Sequence, residues 1–148
     1  MTNLVGRTLY RLGERLPGRV STPGEDSYAP ARAIWSKPVG RVPRAVVHCQ
    51  TADDVGSAIR AARDCGLPLS VRGGGHDWAG RALCDGVVID LSGMRSVAVA
   101  PDERATVSRG ARAADVAAAT DPLGLAPVTG SVAAVGMAGL TLGGAMAR

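Results

Sequence analysis

Residues 70–80 run Ser70-Val71-Arg72-Gly73-Gly74-Gly75-His76-Asp77-Trp78-Ala79-Gly80, with three consecutive glycines directly ahead of a histidine. Glycines in a row allow positive φ and gather several backbone N–H groups into one concavity. Such a concavity binds anions, and without Cβ atoms a dinucleotide pyrophosphate can come close. A neutral imidazole is a nucleophile available near pH 7, so His76 could form a bond to carbon. The bland alternatives are a plain surface loop for the glycines and a hydrogen-bonded or solvated side chain for His76. The other histidine, His48, falls in the apolar run Ala45–Cys49 and reads as a satisfied core residue.

A second glycine-rich stretch covers Gly130, Gly136, Gly139, Gly143 and Gly144, with small apolar residues between them. That pattern suits backbone lying flat against an aromatic ring system, or tight packing at a helix start. Neither stretch is a phosphate loop of the GxxxxGK[ST] type, because no Lys-Ser or Lys-Thr follows the glycines. Gly73 and Gly75 begin a GxGxxG pattern, but Trp78 stands where the third glycine belongs.

The elements that must hold these loops follow from periodicity. Leu4, Leu9, Leu12 and Leu16 approximate one face of a helix within residues 1–20. Residues 21–42, with Pro23, Gly24, Pro30, Pro38 and Gly40, read as irregular chain. Ala45–Cys49 reads as a strand. Thr51 and Asp54 resemble a capping box ahead of a helix whose inner face is Val55, Ala58, Ile59 and Ala62, closed by Gly66 and Pro68. Leu69–Arg72 reads as a second strand, making a small βαβ unit with parallel strands. Val87–Leu91 is a third strand. Val97–Ala100 and Ala105–Ser108 form a hairpin about Pro101–Arg104, and Ala111–Thr120 forms a helix closed by Pro122 and Gly124.

At 148 residues the chain is one domain's worth of material, and a compact fold of that length buries roughly 68–70% of its extended surface. The hydrophobic share is 46% but there is no Phe and aromatics are 3%, so Ala, Val and Leu must fill the core. The net charge of +4 comes from arginines interspersed with Asp and Glu; with so few aromatics to stack on bases, the pattern argues against nucleic acid. Cys49, Cys65 and Cys84 form no CxxC pair and no metal spacing. The first residues lack a signal-peptide core, and no apolar run approaches the roughly 18 residues that span a membrane. A reducing cytoplasm is the expected compartment, with no membrane partner.

Taken in order, these pieces resemble the PCMH-type FAD-binding family, the vanillyl-alcohol-oxidase-like fold, in its berberine-bridge and sugar-oxidase branch. The resemblance rests on Pro43 with the Val46–Cys49 strand, Asp53-Asp54-Val55 with the following helix, and Leu67-Pro68-Leu69-Ser70-Val71-Arg72-Gly73-Gly74-Gly75-His76. Val88-Ile89-Asp90-Leu91-Ser92 and Gly139-Leu140-Thr141-Leu142-Gly143-Gly144 complete it, over about two thirds of the chain. It implies an α+β fold: a partial PCMH-type domain over residues 43–148, preceded by a lead-in over 1–42, with the small parallel βαβ subdomain followed by a mainly antiparallel sheet with helices.

It also implies a flavoprotein oxidoreductase. The histidine of the family's RGGGH segment is bonded to the flavin 8α-methyl and its glycines hold the pyrophosphate, which carries over to Arg72, Gly73, Gly74, Gly75 and His76, with Gly80 closing the loop. Gly130, Ser131, Val132, Gly136, Gly139, Leu140 and Gly143 are the corresponding second flavin-binding stretch. Some members carry a second flavin bond from a cysteine where this chain has Val132, so attachment is expected through His76 alone. Hydride transfer from a substrate C–H or alcohol to flavin N5, with O₂ as acceptor, is the family chemistry; the catalytic base and the small-molecule substrate domain are expected beyond Arg148. The chain is therefore expected to be an amino-terminal part of the family's length. The alternatives are a non-catalytic truncated chain that binds flavin weakly or not at all, and a relative with non-covalent FAD.

Overall fold

The computed structural model describes residues 2–36 and 40–144. Pro38, read above as part of the irregular lead-in, and residues 145–148 at the end of the expected domain lie outside the described residues. The main sheet has four strands in the order β1 (Val20–Ser21), β2 (Ala45–His48), β4 (Val87–Asp90), β3 (Leu69–Arg72). β1 is antiparallel to β2, while β2 and β3 each run parallel to β4. The expected βαβ unit therefore forms with its strands parallel but not adjacent, because β4 inserts between them. Burial explains this: all four residues of Val87-Val88-Ile89-Asp90 are buried, and an edge position would expose them.

The central strands β2 and β4 are covered on both faces, as parallel sheets generally are, while Leu69 and Val71 of the edge strand β3 stay exposed. On one face Val47, Cys49, Val87, Ile89 and Leu91 pack against Leu12 of α1 (Thr2–Arg15), Leu16 just after it, and Ala58, Ala61 and Ala62 of α3 (Ala52–Asp64). On the other, Val46 and Val88 meet Ala31, Leu83 and Cys84, with Ile34 at the margin. The alternation Val46/Val47 and Val87/Val88 is the two-residue period of a strand. α1 carries only part of its expected face inward: Leu4 is 51% exposed. In α3 the inner face is rotated slightly, so Ala61 is buried and Ile59 faces out. The capping box at Thr51 and Asp54 is present, each side chain accepting a hydrogen bond from the other residue's backbone N–H. The lead-in holds one helical turn, α2 (Tyr28–Ala31), where irregular chain was expected, and its β1 and α1 pack on the same core as residues 43 onward.

The antiparallel part is the hairpin β5 (Val97–Val99) and β6 (Ala105–Val107). α4 (Ala113–Thr120) follows, then a 3-10 turn at Asp121–Leu123 that ends on Gly124 in the left-handed conformation. α5 (Met137–Gly143) closes the described chain. Among the described residues, no helix is long and apolar enough to cross a membrane.

Candidate functional site

The three parallel strands end on one rung: His48 and Arg72 are both Cα partners of Asp90. Gly73–His76 follow Arg72 directly, so the glycine loop leaves the sheet at the carboxyl ends of its strands, where open α/β sheets bind ligands. Gly75 has φ 68°, which a residue with a Cβ adopts only with strain. Gly74 is constrained differently. A Cβ on it would lie 2.7 Å from Gly136 Cα and 2.9 Å from the Ala134 carbonyl oxygen, so the backbones of the two glycine stretches touch here.

That contact creates a cleft of about 610 Å³ between the stretches. It brings together nine of the residues singled out in the sequence: Gly73, Gly74, Gly75, His76, Gly136, Gly139, Leu140, Gly143 and Gly144. Arg72, Gly80, Gly130, Ser131 and Val132 are not among its lining residues. Gly80 has φ 67° and donates its N–H to the Asp77 carbonyl, shaping the turn after His76. Gly130 faces the Leu140 side chain, and Ser131 and Val132 are exposed. Sequence reasoning missed Val71, Asp77, Trp78, Arg81, Ala82 and Val135, which complete the wall. Of these, Asp77 and Arg81 form an ion pair at 2.8 Å, and hydrogen bonds from the Arg81 side chain and backbone hold the Asp77 carboxyl below its usual range.

The guanidinium of Arg72 is taken up behind the loop. It donates to both carboxylate oxygens of Asp90, at 3.2 and 2.7 Å, and to the carbonyls of Ala31 and Ala33. Asp90 is 1% exposed, and it also accepts from Ser92 and pairs with His48 Nδ1 at 2.9 Å. Burial alone would raise the Asp90 pKa; the hydrogen bonds from His48 and Arg72, the arginine charge and the Ser92 N–H outweigh it and hold the carboxyl well below the ordinary carboxylate range. His48 Nε2 in turn meets Ser21 Oγ at 3.1 Å. The order Ser21–His48–Asp90 is that of a hydrolytic triad, but Ser21 is 2% exposed, which closes it to a substrate, so this arrangement is architectural.

His76 stands differently. Its ring stacks on Trp35, with centroids 4.6 Å apart and planes at 22°, and Trp78 makes a tilted contact with the same indole. Its Nε2 is buried with no hydrogen-bond partner. Buried polar atoms are nearly always paired, so an orphan of this kind calls for an explanation such as an absent ligand. The described residues contain no group of three or more His, Cys, Asp or Glu able to hold a metal ion.

Residues 43–148 match the family model described as FAD binding domain. The FAD-linked oxidoreductase YgaK of Bacillus subtilis is 36% identical over 88% of this chain. The structure of 6-hydroxy-D-nicotine oxidase from Arthrobacter nicotinovorans superimposes with a TM-score of 0.80 at 34% identity over 84% of the chain. That of BBE-like 1 from Physcomitrella patens does so with 0.81 at 27% identity over 88%. The chain spans 29%, 28% and 29% of these three proteins, respectively. The cleft fits the cofactor named by the family: one wall is glycine backbone that a Cβ would obstruct, and a buried imidazole nitrogen on it lacks a partner. With a PCMH-type α+β fold and these relatives, the chain belongs to the FAD-binding domain family of FAD-linked oxidoreductases, of the berberine-bridge and sugar-oxidase type, and its cofactor is FAD.

Proposed function

We propose that this chain is the flavin-anchoring part of an oxidoreductase that oxidises a C–H bond or alcohol of a small molecule, and that His76 carries the flavin by a single covalent bond. The observation that carries the reading is the unpartnered His76 Nε2 in a ring that walls the cleft joining the two glycine stretches. When bound, FAD supplies the hydride acceptor, its N5, and dioxygen returns it to the oxidised state. The chain's own residues hold and orient. Gly73, Gly74 and Gly75 offer backbone N–H groups to the pyrophosphate without side chains in the way. Gly136, Gly139, Leu140 and Gly143 form the opposing wall for the flavin and ribityl chain, with Gly130, Ser131 and Val132 leading into it. Arg72 and Gly80 shape the loop from either end. His76 would contribute a ring nitrogen to the bond with the 8α-methyl carbon: the imidazole N–H and one methyl C–H hydrogen would leave as protons, and the electron pair would pass into the flavin and on to dioxygen, giving hydrogen peroxide. Val132, having no thiol, adds no second bond.

No residue of the chain is assigned as catalytic base. Substrate selection and turnover are proposed to need the parts of the relatives that this chain does not span. The three free cysteines support a reducing compartment, the cytoplasm. The test is acid precipitation of the protein after expression with FAD. Yellow colour is expected to stay with the pellet, and to move to the supernatant in His76→Ala. Colour released equally from both proteins would overturn covalent attachment. A rival reading is a non-catalytic chain that binds flavin weakly or not at all. Flavin titration by fluorescence, run beside a circular-dichroism melt, separates the two.

A further inference from the structure

His76 is held by a segment that the family match does not include. Trp35 donates its backbone N–H to the Gly75 carbonyl at 2.9 Å, and Ser36 donates its Oγ–H to the Asp77 carbonyl at 3.0 Å. The two bonds flank His76, one on the residue before it and one on the residue after. Between them the Trp35 indole lies on the imidazole face. An imidazole is broad in its second torsion and rotates readily unless something covers a face. With that face covered, rotation of the ring about its second torsion is restricted and its plane is set.

The gripping segment is itself fixed from the loop it grips. Arg72 donates to the carbonyls of Ala31 and Ala33, just ahead of Trp35, while its other bonds go to buried Asp90. Trp35 is 55% exposed, so burial of apolar area does not account for its position; the stack on His76 and the tilted contact with Trp78 do. We propose that Trp35 is a positioning residue for His76: it sets the plane of the imidazole that receives the flavin, and the lead-in before Pro43 is thereby part of the cofactor site. This rests on the reading that His76 carries FAD.

The experiment has two readouts, one of them free of flavin. In the apoprotein, an indole over the ring shifts the His76 carbon-bound protons upfield in NMR spectra, assigned by their loss in His76→Ala. Trp35→Ala is expected to abolish the shift and Trp35→Phe to keep part of it; Trp35→Leu, which preserves bulk without an aromatic face, replaces the alanine variant if that one does not fold. In the flavin-loaded protein, Trp35→Ala is expected to slow acid-stable attachment by about tenfold or more, the order of loss that follows misplacing a reacting group. Total bound flavin should stay near the parent value, and Trp35→Phe should recover attachment. An absent shift in the parent overturns the stack. A shift lost in Trp35→Ala with attachment unchanged overturns the positioning role. A shift present with no acid-stable flavin in the parent overturns the flavin reading, and leaves the stack upheld on its own readout.

Discussion

Gly74 and Gly136 meet backbone to backbone, 62 positions apart in sequence, and neither has room for a Cβ: one placed on Gly136 would lie 2.9 Å from Gly74 Cα. Gly136 is also tied into the second half of the chain, bridging Arg112 and opening α5. One point of contact thus sets the separation of the two cleft walls. The cleft exists because both residues are glycine.

Gly74→Ala is therefore expected to destabilise the fold by about 1–3 kcal/mol, toward the upper end because the obstacle is backbone that cannot rotate away. Gly139→Ala, inside α5 with nothing near its Cβ position, is expected to stabilise by about 0.5–1 kcal/mol, the helix-propensity difference between the two residues. Urea unfolding of the two variants beside the parent measures this. Equal midpoints for both would mean that the walls separate freely and that the contact does not define the site.

Much of this was legible in the sequence, for physical reasons that also explain the gaps. The capping box at Thr51, the alternation through Val46 and Val88, and the turn at Pro101–Arg104 are local patterns, and local patterns fix local structure. The insertion of β4 between β2 and β3 is a long-range choice driven by burial of Val87–Asp90, and no short window contains it. Arg72 looked like a ligand residue because it adjoins the glycines; its guanidinium goes to Asp90, whose partnership depends on that same strand order. Trp35 had no signal at all, since its role is set by a loop some 40 residues later.

The cysteines differ sharply in environment. Cys49 is fully buried, and burial first, then the charges of Asp54 and Asp90, push its thiol up to about 11. At pH 8 ionisation alone makes such a thiol react about two hundred-fold more slowly than a free cysteine of pKa ~8.5. Cys84 is also buried, whereas Cys65 is half-buried at the end of α3. Native protein treated with a disulfide reagent is expected to show one fast thiol, abolished in Cys65→Ser, and two that appear only on unfolding. Three fast thiols in native protein would contradict the packing around Cys49 and Cys84.

Asp90 makes the strongest pH prediction. Its carboxyl is depressed in the folded chain, while in the unfolded chain it titrates near ~3.9. The unfolded state therefore binds the proton more tightly. The stability that Asp90 contributes is fully present above the unfolded value and drains away as pH falls from there toward the lower folded value. Asp90→Asn keeps the volume but leaves the largely buried Arg72 guanidinium without its counter-charge, so at pH 7 it should cost about 3–5 kcal/mol. Asp54 is also depressed: burial opposes this, but hydrogen bonds from the Gln50 and Thr51 backbone and Thr51 hydroxyl, with Arg19 adjacent, prevail. The parent's acid sensitivity is thus shared between the two groups, and it is the gap between parent and Asp90→Asn that reports on Asp90. Chemical unfolding across pH should show that gap narrowing below about pH 4. Parallel curves throughout would mean that Asp90 is not the charged hub beneath the His76 loop.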